Sequence, residues 1–180
     1  NGKQVLVLAP EIGLTPQLVA RLRNRLGIEP ALLHSGLTDN ERLAAWRAAR
    51  SGAARLVVGT RSAIFTPLAN PGLIIIDEEH DHSFKQQEGL RYSARDLAIV
   101  RAKQLDIPVV LGTATPTLEV VQHCRNGNYE LIHLPSRAGG AKPPTMRLID
   151  TVRTPTSDGL SEPLIDAIRR HLEADGQVLI

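Results

Sequence analysis

The sequence has 180 residues, an ordinary length for one domain and enough to bury a hydrophobic core. It is 42% hydrophobic and 22% charged, which is typical of globular proteins, and its longest apolar runs are far too short to span a bilayer. The formal net charge of +2 is too small for whole-molecule attraction to nucleic acid to indicate a function. Composition therefore excludes membrane-spanning and collagen-like classes.

Short apolar runs alternate with helical patterns along the chain. Because the runs are almost continuously apolar, they predict strands buried on both faces, as in a parallel sheet covered by helices. The predicted strands cover residues 4–9, 31–34, 55–59, 73–77, 109–112 and 130–134, and the predicted helices cover 15–27, 38–51, 93–105 and 116–126. This alternation predicts a doubly wound α/β fold with a mostly parallel sheet and helices on both faces.

Helix-capping residues agree with these bounds. Thr38 and Ser93 are predicted N-caps, and Gly27, Gly52 and Gly127 are predicted helix stops. The helix starts and stops therefore support the same element order.

The composition changes after Leu134. Residues 136–144 and 151–159 are rich in Gly, Pro, Ser and Thr, which predicts a linker. A strand at 146–150, a helix capped by Ser161 and a strand at 177–180 are predicted to follow. Since both ends of the chain fall at predicted strands, we expect a fragment of a longer protein.

The single cysteine, Cys124, can form neither an internal disulfide nor a thiolate zinc site alone. The first ten residues also lack the basic start and the small-residue cleavage site of a secretory leader. Both features predict a cytoplasmic protein that does not associate with membranes.

A predicted buried strand ends in three adjacent acids, Asp77, Glu78 and Glu79. Such a cluster at the carboxyl end of a strand is electrostatically costly unless a cation or a reaction uses it. In nucleotide hydrolases of this architecture, the first acid holds the Mg²⁺ of the nucleotide and the next activates the attacking water. Asp77 and Glu78 fit those roles, with a solvated loop as the alternative.

His80 and His82 offer a different interpretation, because imidazole and carboxylate groups also bind transition metals. A catalytic metal normally needs three protein ligands, and the sequence does not identify the third. A metal-dependent hydrolase is therefore a further alternative.

Three other predicted strand-to-helix turns carry hydroxyl groups, amides or arginine that could hold phosphates. They are residues 9–17, 59–62 and 111–116. Each turn alone is equally well explained as ordinary structure, since Thr115 followed by Pro116 is also a common helix start.

The order of four segments resembles motifs Ia, Ib, II and III of superfamily 2 helicases. The segments are Pro10-Glu11, Gly59-Thr60-Arg61, Asp77-Glu78-Glu79-His80 and Thr113-Ala114-Thr115. The chain is more closely similar to the PriA family of replication-restart helicases. That similarity is carried by residues 10–17, 34–37, 59–63, 77–81 and 85–89, and it extends along the whole chain.

The resemblance implies a bacterial 3′-to-5′ DNA helicase that uses ATP and Mg²⁺ to restart stalled replication forks and to assemble the primosome. It implies forked and single-stranded DNA, primosome proteins and single-stranded DNA-binding protein as partners. Residues 1–135 would form most of a RecA-like first motor lobe, 136–160 a linker, and 161–180 the start of the second lobe.

The resemblance also assigns roles to individual residues. Asp77 would bind Mg²⁺, Glu78 would activate water, and His80 would couple the nucleotide site to the rest of the motor. Thr113 and Thr115 would lie at the nucleotide. The predicted DNA contacts in motifs Ia and Ib are Pro10, Glu11, Thr15, Gln17, Gly59, Thr60, Arg61 and Ser62.

Residues 81–95 resemble the aromatic-rich loop of the family, which links DNA binding to hydrolysis. Phe84 and Tyr92 lie in a strongly polar stretch and are expected to be exposed, with Lys85 and Arg95 beside them. Aromatic rings flanked by cations suit stacking on an unpaired base. The alternative is that these rings are half-buried loop aromatics.

The chain departs from the family in lacking the phosphate-binding sequence Gly-x-x-x-x-Gly-Lys-Ser/Thr. In the family that loop lies upstream of this chain, and a cysteine-rich zinc module lies downstream of it. We therefore expect the isolated chain to be inactive as an ATPase. A non-catalytic fragment that binds DNA or a partner protein is the main alternative function.

Overall fold

The computed structural model describes residues 2–135 and 144–180. The chain divides into two compact units, Asn1–Leu131 and Ile132–Ile180. The predicted linker lies partly outside the described residues, at 136–143, and the division into two motor lobes stays a prediction.

The first unit follows the predicted alternation of strands and helices. In chain order its elements are β1 (Gln4–Leu8), α1 (Pro16–Leu26), β2 (Ala31–Leu33), α2 (Asp39–Ser51), β3 (Leu56–Gly59), β4 (Pro71–Ile76), β5 (Lys85–Gln86), β6 (Tyr92–Ser93), α3 (Ala94–Gln104), β7 (Val109–Leu111) and α4 (Leu118–Arg125). Two short 3₁₀ helices, Arg61–Phe65 and His82–Phe84, lie between them.

Five of the strands form one parallel sheet in the order β2-β3-β1-β4-β7. β5 and β6 pair antiparallel as a short hairpin in the connection between β4 and α3. Because all five strands of the main sheet run the same way, their carboxyl ends, and the turns that follow them, share one edge.

Helices cover both faces of this sheet. On one face Leu6 and Leu8 of β1 pack in a core with alanines of α2 and α3, including Ala49 and Ala98. On the other face Val7 packs in a second cluster that includes Leu22 of α1. The predicted doubly wound α/β fold is therefore confirmed.

The predicted caps of α1 and α2 are confirmed. The Thr38 hydroxyl accepts a hydrogen bond from the Glu41 amide, and the Glu41 carboxylate accepts one from the Thr38 amide, which forms a capping box. Gly27 and Gly52 end α1 and α2 with φ of 62° and 82°, in the left-handed region that glycine adopts without strain.

Gln4 is a buried polar residue at the start of β1. Its side-chain amide donates to the carbonyls of Ala49 (2.9 Å) and Ala54 (2.6 Å), and its side-chain oxygen accepts from the Asn70 amide at 2.9 Å. One side chain thus satisfies three backbone groups that come from the end of α2 and the approaches to β3 and β4.

The second unit contains a short antiparallel hairpin of β8 (Thr156–Ser157) and β9 (Leu160–Ser161), followed by α5 (Glu162–Glu173). Asp158 and Gly159 turn the hairpin with φ of 51° and 82°, as the tightest hairpin loops require. Ser161 is the residue before the helix, as predicted.

Three predicted strands are wrong. Residues 130–134, 146–150 and 177–180 form no strand, and Leu131, Leu148 and Leu179 are 73%, 98% and 100% exposed. An apolar run becomes a strand only where a neighbouring strand satisfies its backbone, and in the described part of the chain these runs have none.

Among the described residues, no helix is both long enough and apolar enough to cross a membrane.

Candidate functional site

The predicted catalytic acids follow β4 at the carboxyl edge of the sheet. The Asp77 amide continues the sheet by donating to the Leu8 carbonyl at 2.9 Å, while the Asp77 side chain is exposed. On the other side of β4, Gly112 directly follows the neighbouring strand β7, and its amide donates to the Ile76 carbonyl at 2.8 Å. A Cβ built on Gly112 would lie 3.6 Å from Asp77 Oδ1, so the carboxylate borders the end of β7.

These groups suit a hydrated divalent cation. Mg²⁺ takes one or two carboxylate oxygens and keeps several waters. The Asp77 carboxylate is accessible. The residue beside it at the end of β7 is Gly112, which has no side chain to occupy the space next to the carboxylate. The residues present therefore fit the metal that the sequence predicts here.

Glu78 has an unusual backbone conformation. Its φ is 51°, in the left-handed region that costs a residue with a Cβ free energy. Its carboxylate is half-exposed, and its Oε2 lies 3.5 Å from His80 Nδ1. The strained turn thus directs Glu78 and His80 to the same side of the sheet edge.

His80 connects the ends of two neighbouring strands. Its Nδ1 lies 2.8 Å from the Thr113 hydroxyl, which follows β7. The same hydroxyl accepts a hydrogen bond from the Thr115 amide at 3.0 Å. The structure therefore brings together the predicted catalytic residues and Thr113, while the Thr115 side chain is exposed beside them.

Glu79 lies in a different environment from its neighbours, with a fully buried side chain. Its carboxylate accepts hydrogen bonds from Arg95 Nη1 (3.0 Å), from the Thr117 amide (2.7 Å) and from the Thr117 hydroxyl (3.2 Å). We call Glu79, Arg95 and Thr117 the buried clamp. It joins the turn after β4 to the first turn of α3 and to the N-cap of α4.

Arg95 was expected to contact DNA, but the structure places its guanidinium in the buried clamp. Its side chain is only 13% exposed, and its Nε also donates to Asp96 at 2.9 Å. Burial opposes the charged form, yet the hydrogen bonds that the guanidinium donates to the Asp96 and Glu79 carboxylates, with their negative charges, outweigh it and raise the pKa of Arg95. Because the Arg95 guanidinium already donates hydrogen bonds to both carboxylates, these donors are not available to a DNA phosphate.

The loop between β4 and α3 is ordered by its own side chains. The Asp81 carboxylate accepts a 2.7 Å hydrogen bond from the Ser83 amide, and the hydrogen bonds from Ser83 lower the pKa of Asp81. Arg61 Nη1 donates to the carbonyls of Ser83 and Lys85, both at 3.1 Å. This contact ties the predicted motif Ib to the predicted aromatic-rich loop.

The two loop aromatics differ. Phe84 was expected to be exposed, but it is 2% exposed and belongs to the core cluster that contains residues of the sheet, α2 and α3. Phe84 is the buried residue of the short 3₁₀ helix, while the polar residues His82 and Lys85 beside it are exposed. Tyr92 is half-buried, and Lys85 is exposed.

The predicted motif Ia residues lie after β1. Pro10 is buried, and the exposed Glu11 accepts a 2.9 Å hydrogen bond from the Ser35 hydroxyl after β2. Thr15 caps α1 by accepting from the Leu18 amide at 3.2 Å, so its hydroxyl is used structurally. Gln17 is exposed.

The predicted motif Ib residues lie after β3. A Cβ on Gly59 would come within 2.5 Å of both the Ala63 Cβ and the Leu33 carbonyl, so only glycine fits there. Thr60 is buried and Ser62 is exposed. Of the predicted contacts in motifs Ia and Ib, Glu11, Gln17 and Ser62 present exposed side chains, and Arg61 is half-buried.

Two features of the site were missed by sequence reasoning. The charged pattern gave no sign that Glu79 pairs with Arg95, because the partners are 16 residues apart. Phe65 is 57% exposed beside Tyr92 although it follows an apolar segment. Its position at the end of the motif Ib segment was the only available signal.

The alternative metal site on His80 and His82 gains no third ligand. Among the described residues, no group of three or more His, Cys, Asp or Glu side chains is arranged to hold a metal ion.

Comparison with known proteins supports the sequence resemblance. Residues 1–124 match the family model for the DEAD/DEAH box helicases. The chain is 51% identical over 180 residues to the replication restart protein PriA of Haemophilus influenzae, covering all of this chain and 25% of that protein. It is 50% identical over 150 residues to PriA of Bacillus subtilis, covering 83% of this chain and 19% of that protein.

The chain therefore spans a quarter or less of the length of these relatives. Among solved structures, it is similar to the Mycobacterium smegmatis helicase Lhr bound to single-stranded DNA and AMP-PNP. The TM-score is 0.48 at 22% identity, over 74% of this chain and 18% of that one.

Proposed function

The chain belongs to the DEAD/DEAH box helicase family, and on that premise we propose that it forms part of the motor of a replication-restart DNA helicase. The contact between His80 and Thr113 supports this most directly, because it joins the acidic turn after β4 to the end of β7. A relative that is 51% identical to this chain carries the name replication restart protein PriA. The full length of that relative is several times that of this chain.

The proposed reaction is ATP hydrolysis coupled to movement along DNA. Bound Mg²⁺·ATP would supply the phosphoryl group to be transferred to water. Asp77, accessible at the sheet edge, would hold the cation. Glu78 would accept the proton of the attacking water. His80, which lies near Glu78, would couple the nucleotide site to the rest of the motor through its contact with Thr113.

The proposed DNA surface lies beside the acids at the same edge. Glu11 and Ser62 present exposed side chains after β1 and β3, and Lys85 lies on the loop that Arg61 anchors. Forked and single-stranded DNA, primosome proteins and single-stranded DNA-binding protein are the proposed partners of the full-length protein, which we place in the cytoplasm.

The first experiment measures ATP binding and hydrolysis by the full-length protein, with and without forked DNA. In the Glu78→Gln variant we expect ATP binding to survive while hydrolysis falls by about 100-fold, the usual scale for a lost general base. Asp77→Asn should weaken Mg²⁺-dependent nucleotide binding instead. Normal hydrolysis by Glu78→Gln would refute the proposed role.

Glu130→Gln is a matched control, because Glu130 is exposed and lies outside the candidate site. It should leave ATP hydrolysis unchanged. If the unsubstituted full-length protein shows neither DNA-stimulated hydrolysis nor strand separation, the proposed function itself fails.

The isolated 180-residue chain is a separate case. It lacks the sequence Gly-x-x-x-x-Gly-Lys-Ser/Thr, whose amides and lysine normally contact the β- and γ-phosphates. We therefore expect it to hydrolyse ATP negligibly. Nucleotide-independent binding of forked DNA by this chain would favour the alternative of a non-catalytic binding fragment, whereas turnover typical of helicases would contradict the expectation.

A further inference from the structure

The backbone is held on both sides of Glu78. Before it, the Asp77 amide donates to the Leu8 carbonyl at the end of β1, at 2.9 Å. After it, the Glu79 amide donates to the carbonyl of Gly112, which follows β7, at 3.0 Å. Glu78, with its φ of 51°, therefore lies between two peptide groups that are bound to the ends of two different strands.

The side chain of Glu79 fixes the same turn a second time. A left-handed conformation at a residue with a Cβ persists only where the surrounding structure determines it. The Glu79 carboxylate accepts three hydrogen bonds and is fully buried, so it cannot exchange these partners for water. Since hydrogen bonds to an ionised carboxylate are among the strong ones, the buried clamp restrains the backbone beside Glu78 more than a single amide contact would.

Each residue of the buried clamp contacts the other two. Arg95 Nη1 donates to the Glu79 carboxylate at 3.0 Å and to the Thr117 hydroxyl at 3.1 Å. The Thr117 hydroxyl in turn donates to Glu79 at 3.2 Å. In such a closed network every contact orients the groups that make the others, so loss of one member loosens the rest.

The buried clamp is anchored to the core through α3. Arg95 directly follows Ala94, and Ala94, Ala98 and Ala102 all lie in the core cluster on this face of the sheet. Asp96 orients the guanidinium from the other side by accepting from Nε at 2.9 Å. The helix therefore provides a fixed point from which Arg95 reaches the turn after β4.

The position of the Glu78 carboxylate depends on this restraint. If Glu79 were released, residue 78 could relax to a negative φ, which would redirect its Cβ and move the carboxylate away from its place 3.5 Å from His80 Nδ1. A general base works only within hydrogen-bond reach of the water that it activates. Asp77 is held separately, by the Leu8 carbonyl, so the proposed cation ligand does not depend on the buried clamp in the same way.

We propose that Arg95 and Thr117 are positioning residues for ATP hydrolysis, which act through Glu79 to hold Glu78 in the conformation that presents its carboxylate to the attacking water. Neither residue touches the reacting atoms. The proposal rests on the proposed function, in which Glu78 accepts the proton of that water. The buried clamp thus controls the rate of hydrolysis rather than the binding of the nucleotide.

The first test measures kcat and KM for ATP with the full-length protein at saturating DNA. Arg95→Gln should lower kcat by about 10- to 100-fold with little change in KM, which is the scale for a misplaced catalytic group. Arg95→Lys retains the positive charge and should recover part of the rate. An unchanged kcat in Arg95→Gln would overturn the proposal and leave the helicase function standing.

A double-mutant cycle separates positioning from a general loss of structure. In the Glu78→Gln background, Arg95→Gln should lower kcat no further, because the carboxylate that it positions is already absent. If the two losses multiply instead, Arg95 does not act through Glu78 and the proposal is overturned.

Thr117 gives a milder variant that keeps the test available if Arg95→Gln does not fold. Thr117→Val removes the hydroxyl but leaves the backbone amide that also donates to Glu79. It should lower kcat by less than Arg95→Gln, and the loss should again vanish in the Glu78→Gln background. Thr117→Ser retains the hydroxyl and should hydrolyse ATP at the unsubstituted rate, whereas equal losses in the valine and serine variants would contradict the proposal.

Arg101→Gln is the matched control on the same helix. The Arg101 guanidinium is also partly buried, but it donates to the carbonyls of Ile64 and Thr66 and makes no hydrogen bond to the turn after β4. This variant should lower the melting midpoint and leave kcat unchanged at a temperature where the protein is folded. If it lowers kcat as much as Arg95→Gln does, the loss reflects general destabilisation and the proposal is overturned.

The last measurement does not depend on ATP, so it distinguishes this inference from the proposed function. If the buried clamp holds Glu78 in a strained conformation, Glu78→Gly should raise the melting midpoint of the unsubstituted protein and should raise that of Arg95→Gln much less. Equal rises would overturn the proposal whatever the protein hydrolyses. If the unsubstituted full-length protein does not hydrolyse ATP, the proposed function fails and the positioning role fails with it.

Discussion

Glu78 and Glu79 are adjacent in the chain but have opposite environments. Glu78 is half-exposed at a strained backbone position, near one histidine. Glu79 is fully buried and accepts three hydrogen bonds within the buried clamp. Adjacent acids after a strand can therefore differ completely in exposure and in unused hydrogen-bonding capacity, and these two properties separate a structural carboxylate from a candidate catalytic one.

The largest expected effect is on stability, at the buried clamp. Glu79→Ala removes the charge that pairs with Arg95 and leaves the guanidinium buried without that partner. Breaking a buried ion pair in this way costs about 3–5 kcal/mol. Thermal melting of the full-length protein should therefore show a much lower midpoint for the unit that contains the sheet, and an unchanged midpoint would contradict the structural role of Glu79.

Glu78→Ala is the matched comparison, because it removes a carboxylate of the same length one residue earlier. The side chain is half-exposed, so its removal should change stability by less than about 0.5 kcal/mol. Equal destabilisation by the two alanine variants would erase the distinction between the two acids.

A smaller effect of opposite sign is expected from Glu78→Gly. Glu78 has a φ of 51°, which glycine adopts without the strain that a Cβ causes. We therefore expect the free energy of unfolding to increase by about 1 kcal/mol. ATP hydrolysis should fall as in Glu78→Gln. A lower melting midpoint for Glu78→Gly, measured beside Glu78→Ala, would show that the turn is not strained.

The contact between His80 and Thr113 should have a smaller effect, on coupling. Thr113→Val removes the hydroxyl at nearly constant volume, and the loss of one hydrogen bond corresponds to about a 2- to 10-fold change. We expect DNA-stimulated hydrolysis by the full-length protein to fall by that factor. Thr113→Ser retains the hydroxyl and should behave normally, whereas equal losses in both variants would argue for packing.

The smallest expected effect is a pH dependence at Asp81. The hydrogen bonds from Ser83 lower the pKa of Asp81 in the folded protein, so the folded state binds this proton less readily than the unfolded chain. The contribution to stability is present above the ordinary aspartate pKa, near 4, and is lost as the pH falls below it. Asp81→Asn should weaken this dependence when melting is compared at about pH 6 and about pH 3.

The central fold was predictable from the sequence because its signals are local. Continuous apolar runs identified β1, β3 and β4, and Thr38 and Gly52 identified the bounds of α2. The predicted strand at 130–134 was wrong because a strand depends on a neighbouring strand, often far along the chain, and periodicity carries no information about that neighbour.

The candidate site was predictable in part, for a related reason. Asp77 and Glu78 could be identified as candidate site residues because they are acids at the end of a predicted buried strand. The pairing of Glu79 with Arg95 depends on how the turn after β4 meets α3, which the sequence does not encode locally. The polar surroundings of Phe84 concealed its burial, and the apolar segment before Phe65 concealed its exposure.

The Gln4 side chain has a consequence for how the first unit opens. Its amide group joins β1 to the end of α2 and to Asn70, so the three segments cannot separate one at a time without leaving a buried polar group unsatisfied. Local fraying at any of these points therefore becomes one cooperative opening. The backbone amide of Asn70, although it belongs to a connecting segment, should exchange its hydrogen with solvent as slowly as the central strands do.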